Sequence, residues 1–530
     1  MQHYYRTDVE QVVADITTCT QCHIPFLFAF NFELTAALFI KDPLSQKEVL
    51  FRTPLGTNSP IERNIANKDI ELQFKIEDKS VYARKFNKVS EALHRGDTFL
   101  TNLTVKTPIT TNKTQKEIFD GTDADYCLYV PEKFVCYSPE RFVYINKEGR
   151  ISTHPMKGTI SASIPNAAQI ILKDEKESAE HATIVDLLRN DLSINAEKVK
   201  VERYRYITSI STQNDTILQV SSEISGQLPK NWESRTGQLL FDMLPAGSIC
   251  GAPKKATVNL IKRAETEPRG FYTGVFGYYN GADLDSAVLI RFIEKDNGQL
   301  FYRSGGGITA KSNLENEYKE VMQKIYIPYA KPLFSDVICV RNGQLQRLDY
   351  HYRRMSNTCK TFYNKELSFE CLNEGLASCS KEGLYKCRIV YGDKIESVTY
   401  TEYHPKQVNT VQFVYDDTIE YSHKYLDRSA LTKLVENSGT DDVIIVKNGL
   451  ITDSSFCNLI FEDAEGRKFT PKEALLKGTY REWLLEQGIV EETSIKKEDV
   501  YRYKFVYFVN AMRGIDDCTK MEINKLEDYQ

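Results

Sequence analysis

Gly298-Gln-Leu-Phe-Tyr-Arg-Ser-Gly-Gly-Gly307 reads as a strand that ends in three consecutive glycines, and a helical stretch from Asn313 to Ile325 follows it. Ile327-Pro-Tyr-Ala-Lys-Pro332 then places two prolines where a helix cannot continue. Leu333-Phe-Ser-Asp-Val-Ile-Cys-Val-Arg341 is strand-like, Asn342-Gly343 is a strong hairpin signal, and Gln344-Leu-Gln-Arg-Leu348 is the return strand. One domain therefore ends and another begins inside this stretch, which sets domains at 1–330 and 333–530. The first is ample for a large two-layer α/β or α+β domain. Outward from the boundary, 150–330 alternates strands and helices. Phe26-Leu-Phe-Ala-Phe-Asn-Phe and Thr35-Ala-Ala-Leu-Phe-Ile read as paired buried strands, and Ile184, Leu187 and Leu188 share one face of a helix. In the second part, strands at 442–447 and 457–462 flank a further hairpin signal, Asn448-Gly449.

The 530 residues carry 68 basic and 73 acidic side chains, a net charge of −5, which argues against a nucleic-acid or membrane-surface footprint. With 31 tyrosines and 26 phenylalanines there is core material enough to argue against disorder. The longest apolar-leaning run, Ile24 to Ile40, contains Asn31 and Glu33 and is short for a bilayer. The N-terminus lacks the layout of a secretory signal, so the expectation is a soluble, cytoplasmic protein with neither nucleic-acid nor membrane partner. Of the 12 cysteines the one tight pair is Cys19-Thr-Gln-Cys22; no second pair follows at zinc-site spacing, so it is read as structural.

Two acidic pairs stand out. Glu177 and Glu180 are three apart on one helix, and Glu317 and Glu320 repeat the spacing on the helix after the glycine run, so each pair projects from one helical side. By spacing alone these are two solvated helix faces. Facing each other, they would repel unless a hard dication relieved them, and Mg²⁺ suits a few carboxylates completed by water and substrate oxygens. The glycine turns at Gly247–Lys254 and Gly305–Gly307 expose backbone N–H groups suited to an anion, and Arg291 ends an apolar strand from which it could hold a carboxylate bidentately.

Six ordered motifs carry a resemblance: Ser138-Pro-Glu-Arg-Phe142, Pro155-Met-Lys-Gly-Thr159, Ile184-Val-Asp-Leu-Leu-Arg-Asn-Asp191, Gly247-Ser-Ile-Cys-Gly-Ala-Pro-Lys254, Arg269-Gly-Phe-Tyr-Thr-Gly274 and Glu317-Tyr-Lys-Glu320. Together they resemble the chorismate-utilising enzymes, among them anthranilate, aminodeoxychorismate, isochorismate and salicylate synthases, over about 90–330. The resemblance implies an α+β domain with two antiparallel sheets and surrounding helices. It implies Mg²⁺ on Glu177, Glu180, Glu317 and Glu320, and substrate contacts from Tyr272, Arg291, Gly305, Gly306, Gly307, Cys250 and Lys254. Cys250 stands where threonine is usual, and Gln219 where many members carry histidine. Anthranilate synthases place alanine where Lys157 stands, and the resemblance to aminodeoxychorismate synthases implies that Lys157 is a nucleophile, with Glu140 as general acid.

In the second part, Lys424 precedes Arg428 by four residues, alone a common helix-surface arrangement. His351-Tyr-Arg-Arg-Met355 lies on an earlier helix, Val446 to Phe461 holds a hairpin leading to a polar stretch and an Asn before a strand, and Leu475-Leu-Lys-Gly-Thr-Tyr-Arg481 begins a helix, a natural phosphate-binding terminus. Over about 333–515 these residues resemble the fold-type IV pyridoxal-phosphate enzymes, which implies a smaller two-part α/β domain. It attaches pyridoxal 5′-phosphate to Lys424 and gives its phosphate to Arg354, Gly478, Thr479, Asn510 and Ala511. Asp453 takes the place of the glutamate that pairs with the pyridine nitrogen.

The two resemblances imply consecutive steps: amination of chorismate to 4-amino-4-deoxychorismate, then elimination of pyruvate to 4-aminobenzoate. The chain has no G-x-C-x-G nucleophile elbow, so ammonia would come from a separate glutamine amidotransferase subunit or from solution. A homodimer through the second domain is expected from its relatives. The rival expectations are anthranilate or salicylate synthesis with an attached transaminase, or a second domain that is a cofactor-fold scaffold.

Overall fold

The computed structural model describes residues 4–528 apart from 62–69, 76, 163, 212–215, 328–329, 373–375 and 377–382. Pro328 and Tyr329, inside the proline-punctuated stretch, thus lie outside the described residues. The chain divides into two compact units, one ending at Ala330 and the other beginning at Lys331.

The first unit is α+β and is built on two sheets of ten and nine strands among the described residues, antiparallel throughout. Strand Phe26–Phe30 shows how the sequence sets their packing. Successive side chains on a strand point to opposite faces. Phe26, Phe28 and Phe30 enter a core beneath the helices Val9–Gln21 and Thr236–Asp242. Leu27 and Ala29 enter a second core shared with Phe51, Leu128, Phe134 and Phe292 of the other sheet. Both faces are buried, so the run is apolar without alternation. The pairing with Ala37–Lys41 follows the expected hairpin, Ala29 opposite Leu38.

Three elements bring the chemistry together. The strand Gln299–Ile308 pairs along the strand Leu100–Thr111, with Gly305 opposite Thr104 and Gly307 opposite Asn102. Helix Leu314–Gln323 follows that strand, capped by Asn313, whose Oδ1 accepts the N–H groups of Glu315 and Asn316. Helix Glu175–Ser193 starts at Asp174, whose carboxylate accepts the N–H of Glu177. Its inner face holds buried Ile184 and Leu188 with half-buried Leu187.

A buried ion pair ties this unit together. Arg269 is 1 % exposed, and its Nε and Nη2 donate to the two oxygens of Glu265 at 2.9 and 2.7 Å. Nη2 also donates to Asn102 O at 2.6 Å, and Glu265 Oε1 accepts from Thr104 N at 2.9 Å. Removing one partner of such a pair strands the other charge out of water. Glu265→Ala is expected to destabilise the first unit by about 3–5 kcal/mol, read as a fall in its thermal midpoint.

The second unit has three sheets among the described residues. Phe334–Arg341 turns through Asn342-Gly343 into Gln344-Leu345, and both turn residues have positive φ, 52° and 76°, as a tight hairpin requires. Asn448-Gly449 makes the same turn at 52° and 75°. Its return strand is Leu450–Ser454, so the strand expected to close this hairpin, now Asn458–Glu462, belongs instead to the next sheet. Ser454 accounts for the break: it ends one strand, and its Oγ accepts the N–H groups of Phe456 and Cys457, which turns the chain. The segment around Lys424 is not helical. Ser335 N donates to its carbonyl, Tyr425 bridges to Phe334, and a helix begins only at Ser429. No helix among the described residues is long and apolar enough to cross a membrane.

Candidate functional site

In each unit a cavity brings together most of the residues expected to act there, a lysine among them. In the first unit the cavity has a volume of about 390 Å³ and is lined by Lys157, Glu140, Tyr272, Arg291, Gly305 and Gly307 together with all four glutamates, Glu177, Glu180, Glu317 and Glu320.

A β-bulge aims Lys157. Strand Met156–Ser161 pairs with Thr216–Gln227, but the register shifts between Met156, opposite Ser221, and Thr159, opposite Gln219. Gly158 at the shift has φ +82°, a conformation glycine adopts without strain. An extra residue on one strand turns a side chain out of the pleat, which is why such bulges recur beside reactive groups. Lys157 leans on the facing strand: a Cβ added to Gly307 would lie 2.6 Å from its Nζ. One added to Gly158 would lie 3.0 Å from Glu177 Oε2.

Glu140 is buried in the cavity wall, and burial raises its carboxyl above the usual range, opposed by a hydrogen bond with Ser248 and by Lys157, Arg291 and Lys324. Arg291 donates through Nε to Tyr326 OH at 3.0 Å. Arg291 and Thr273 both line the cavity with positive φ, 54° and 61°. For a β-branched threonine that is a genuine outlier, and strain of this kind gathers where the surrounding structure dictates geometry.

The four glutamates share the cavity without forming a ready ligand shell: among the described residues, no three acidic, histidine or cysteine groups converge as a metal site. Lys324 accounts for part of this. It is four residues past Glu320 on the same helical side, its Nζ lies 2.6 Å from Glu320 Oε1, and it donates to Gly305 O at 2.9 Å. The donor chemistry, carboxylates only, still fits a hard dication.

Gly306, between two lining glycines, faces Glu317, Glu320 and Lys324 of the same cavity. Cys250 is buried with its Sγ directed at Pro245 O and Gly251 O, and Ser248 and Ile249 of the same turn line the cavity instead. Lys254 Nζ is held by Asp191 Oδ2 at 2.9 Å and Met243 O at 2.8 Å, which makes it a lock between helices. Sequence reasoning missed Asn102, Ser248 and Lys324. Lys324 was accessible from its spacing to Glu320, whereas Asn102 and Ser248 depend on strand pairing and turn geometry.

In the second unit a cavity of about 430 Å³ is lined by Lys424, Arg354, Asp453, Gly478, Thr479, Asn510 and Ala511, all seven residues expected there. Helix Thr479–Glu486 begins at Gly478 with no side chain capping its first N–H groups, so its positive end is free for an anion. A side chain at Gly478 would run into the amide oxygen of Asn458. Arg354 donates twice to Asp336 Oδ2, at 3.0 and 2.8 Å, and Asp336 Oδ1 meets His351 Nδ1 at 2.7 Å. His351 Nε2 lies 3.3 Å from Thr479 Oγ1, so one buried chain of contacts fixes Arg354 and the helix start together. Asp336 was not anticipated, because in the sequence it is one polar residue in an apolar strand.

Burial pulls the Lys424 amine down to about 8, reinforced by Arg354 and opposed by Asp336. Burial pushes the Asp453 carboxyl up to about 6, although its oxygens accept from Asn458 Nδ2 at 2.7 Å and Leu476 N at 2.9 Å. An amine near neutrality, an anion cradle and a carboxylate in one cavity suit a phosphate-bearing aldehyde with a basic ring nitrogen.

Comparison with known proteins follows the two units. The family described as chorismate binding enzyme matches residues 36–329, and that described as amino-transferase class IV matches residues 334–521. An uncharacterized PabA-like protein of Pasteurella multocida is 47 % identical over 307 residues, 57 % of this chain and 94 % of that protein. An uncharacterized protein of Haemophilus influenzae is 37 % identical over 191 residues, 35 % of this chain and 99 % of that protein. Aminodeoxychorismate synthase component 1 of Bacillus subtilis is 30 % identical over 261 residues, 46 % of this chain; the chain spans 54 % of that protein's length. The chain belongs to the chorismate binding enzymes, and an amino-transferase class IV domain follows its chorismate-binding region.

Proposed function

We propose that the chain makes 4-aminobenzoate in two steps, aminating chorismate in the first cavity and removing pyruvate from 4-amino-4-deoxychorismate in the second. The observation that carries this reading is Lys157, an amine aimed by a bulge into a cavity that also holds a buried carboxyl and four glutamates. Chorismate carries two carboxylates, and Arg291, Lys324 and the N–H groups near Gly305 and Gly307 suit them. Glu177, Glu180, Glu317 and Glu320 would hold Mg²⁺, which when bound supplies positive charge for a substrate carboxylate.

Lys157 Nζ attacks ring C2 and the diene shifts to expel the C4 hydroxyl, which Glu140 protonates to water. Glu140 then takes a proton from the C2-bound nitrogen. Ammonia forms the bond at C4, the diene shifts back, and the C2–N bond breaks with its electron pair returning to Lys157, protonated by Glu140. The last proton passes from the new ammonium to Glu140, which closes its cycle. A carboxyl held above its ordinary range by burial is suited to such shuttling at neutral pH. We further propose that ammonia comes from a separate glutamine amidotransferase subunit.

For the second step, Arg354, the N–H groups at Gly478 and Thr479, and the backbone near Asn510 and Ala511 would hold the phosphate of pyridoxal 5′-phosphate, and Asp453 would face its ring nitrogen. When bound, the cofactor supplies an electron sink for the carbon that loses its proton. Lys424, uncharged for a large fraction of the time near pH 8, removes that proton from ring C4. Asp453 keeps a negative charge beside the ring, although it is one methylene shorter than glutamate.

Gly307→Ala tests the placement of Lys157. The added methyl would displace Nζ, and a misplacement on the order of 1 Å is expected to lower chorismate consumption roughly 10²-fold with the thermal midpoint unchanged. The proposal as a whole is tested by order of addition. Chorismate, ammonium and Mg²⁺ without pyridoxal phosphate should give 4-amino-4-deoxychorismate, and adding the cofactor should release pyruvate. Pyruvate release before the cofactor is added would count against it.

A further inference from the structure

The wall beside Lys157 contains a buried polar group that none of the described residues satisfies. Gln219 is 8 % exposed, lines the same cavity as Lys157 and Glu140, and its Oε1 is buried without a hydrogen-bond donor among the described residues. It sits opposite Thr159, immediately past the bulge that aims Lys157, so the two side chains share one wall. A buried acceptor left without a donor is costly, which implies that its donor arrives with the cavity's contents. Among the two reactants the donors are few. Chorismate with both carboxylates ionised has a single one, the C4 hydroxyl, and that group leaves with the proton of Glu140. Ammonia brings three N–H donors and one lone pair.

We propose, resting on the amination reading above, that Gln219 Oε1 accepts a hydrogen bond from incoming ammonia and holds its lone pair toward C4. Gln219 is thus the contact that places the nitrogen nucleophile. An amide suits this task better than a carboxylate would. A carboxylate stabilises ammonium, whose lone pair is occupied by a proton, whereas an amide is neutral at every working pH and can hold ammonia without favouring its protonation. The step balances as before: the ammonia lone pair forms the C4–N bond, the C2–N bond breaks, and its pair returns to Lys157. Gln219 exchanges no proton.

The test uses the full chain with chorismate and ammonium chloride. Gln219→Leu removes the acceptor at similar size, and Gln219→Met does so at greater length. In either, the KM for ammonium should rise roughly five- to tenfold, while the KM for chorismate and the mass-detected covalent adduct on Lys157, formed without ammonium, match the unaltered protein. An unchanged ammonium KM in a variant that still forms the adduct overturns the proposal. So does a changed chorismate KM or a lost adduct in both variants, because Gln219 would then serve chorismate or the fold. If the unaltered protein forms no adduct, it is the Lys157 chemistry that fails.

Discussion

Lys157→Ala is expected to abolish chorismate amination, with a loss of roughly 10⁴-fold or more, while the protein stays folded and still binds chorismate. The reasoning is chemical. Without the amine, ammonia must displace the C4 hydroxyl unaided, and the covalent step that splits one barrier into two is gone. The cavity loses a cation but keeps Arg291 and Lys324 for the substrate carboxylates and Glu140 for the leaving hydroxyl. Half-buried Lys157 is not a core residue, so the thermal midpoint should move little. Initial rates of chorismate consumption with saturating ammonium measure the loss. Amination at the unaltered rate would remove Lys157 from the chemistry and leave direct substitution by ammonia.

The second large effect is at Lys424. Lys424→Ala is expected to stop pyruvate release from 4-amino-4-deoxychorismate, again by roughly 10⁴-fold or more, while the first reaction continues and its product accumulates. The pH dependence gives an independent check. A free lysine loses its proton near 10.4, whereas burial and Arg354 bring Lys424 to about 8. The reactive form is the neutral amine, so uptake of pyridoxal phosphate by the apoprotein should rise with pH through a midpoint near 8 and level off above it. Folding carries the matching sign. The folded state disfavours the lysine proton, so this group's contribution to stability improves as pH rises from about 8 toward the unfolded value. A midpoint near 10 would mean that the amine is in water, contrary to the buried cavity described here.

Much of this architecture was legible in residue types. Asn-Gly at 342–343 and 448–449 announces two hairpins because both positions must take positive φ. Phe26–Phe30 announces a strand buried on both faces. The two glutamate pairs were visible as helical spacing, whereas their meeting in one cavity was expected from the family resemblance alone, because it depends on how two helices pack against the sheet. The misses share a cause: they are tertiary. The hairpin at Asn448-Gly449 closes on Leu450–Ser454 because a serine hydroxyl turns the chain, which apolar patterning does not show. Lys424 and Arg428 have helical spacing but lie ahead of the helix, with Lys424 fixed by its carbonyl to the strand Phe334–Arg341. Cys250 and Lys254 adjoin Ser248 and Ile249, which line the cavity, but the sequence does not show that the thiol turns to backbone carbonyls or that Asp191 captures the lysine. Asp336, which joins Arg354 to His351, is one carboxylate in an apolar strand and acquires its place only through the helix Leu348–Tyr363 packed across it.

The most direct test of the central claim is the identity of the aromatic product. Chorismate, ¹⁵N-ammonium, Mg²⁺ and pyridoxal phosphate are incubated with the full chain, and the product is identified by mass and chromatography. The two-cavity account predicts ¹⁵N-labelled 4-aminobenzoate. Labelled 2-aminobenzoate, or an unlabelled aromatic acid, would contradict it.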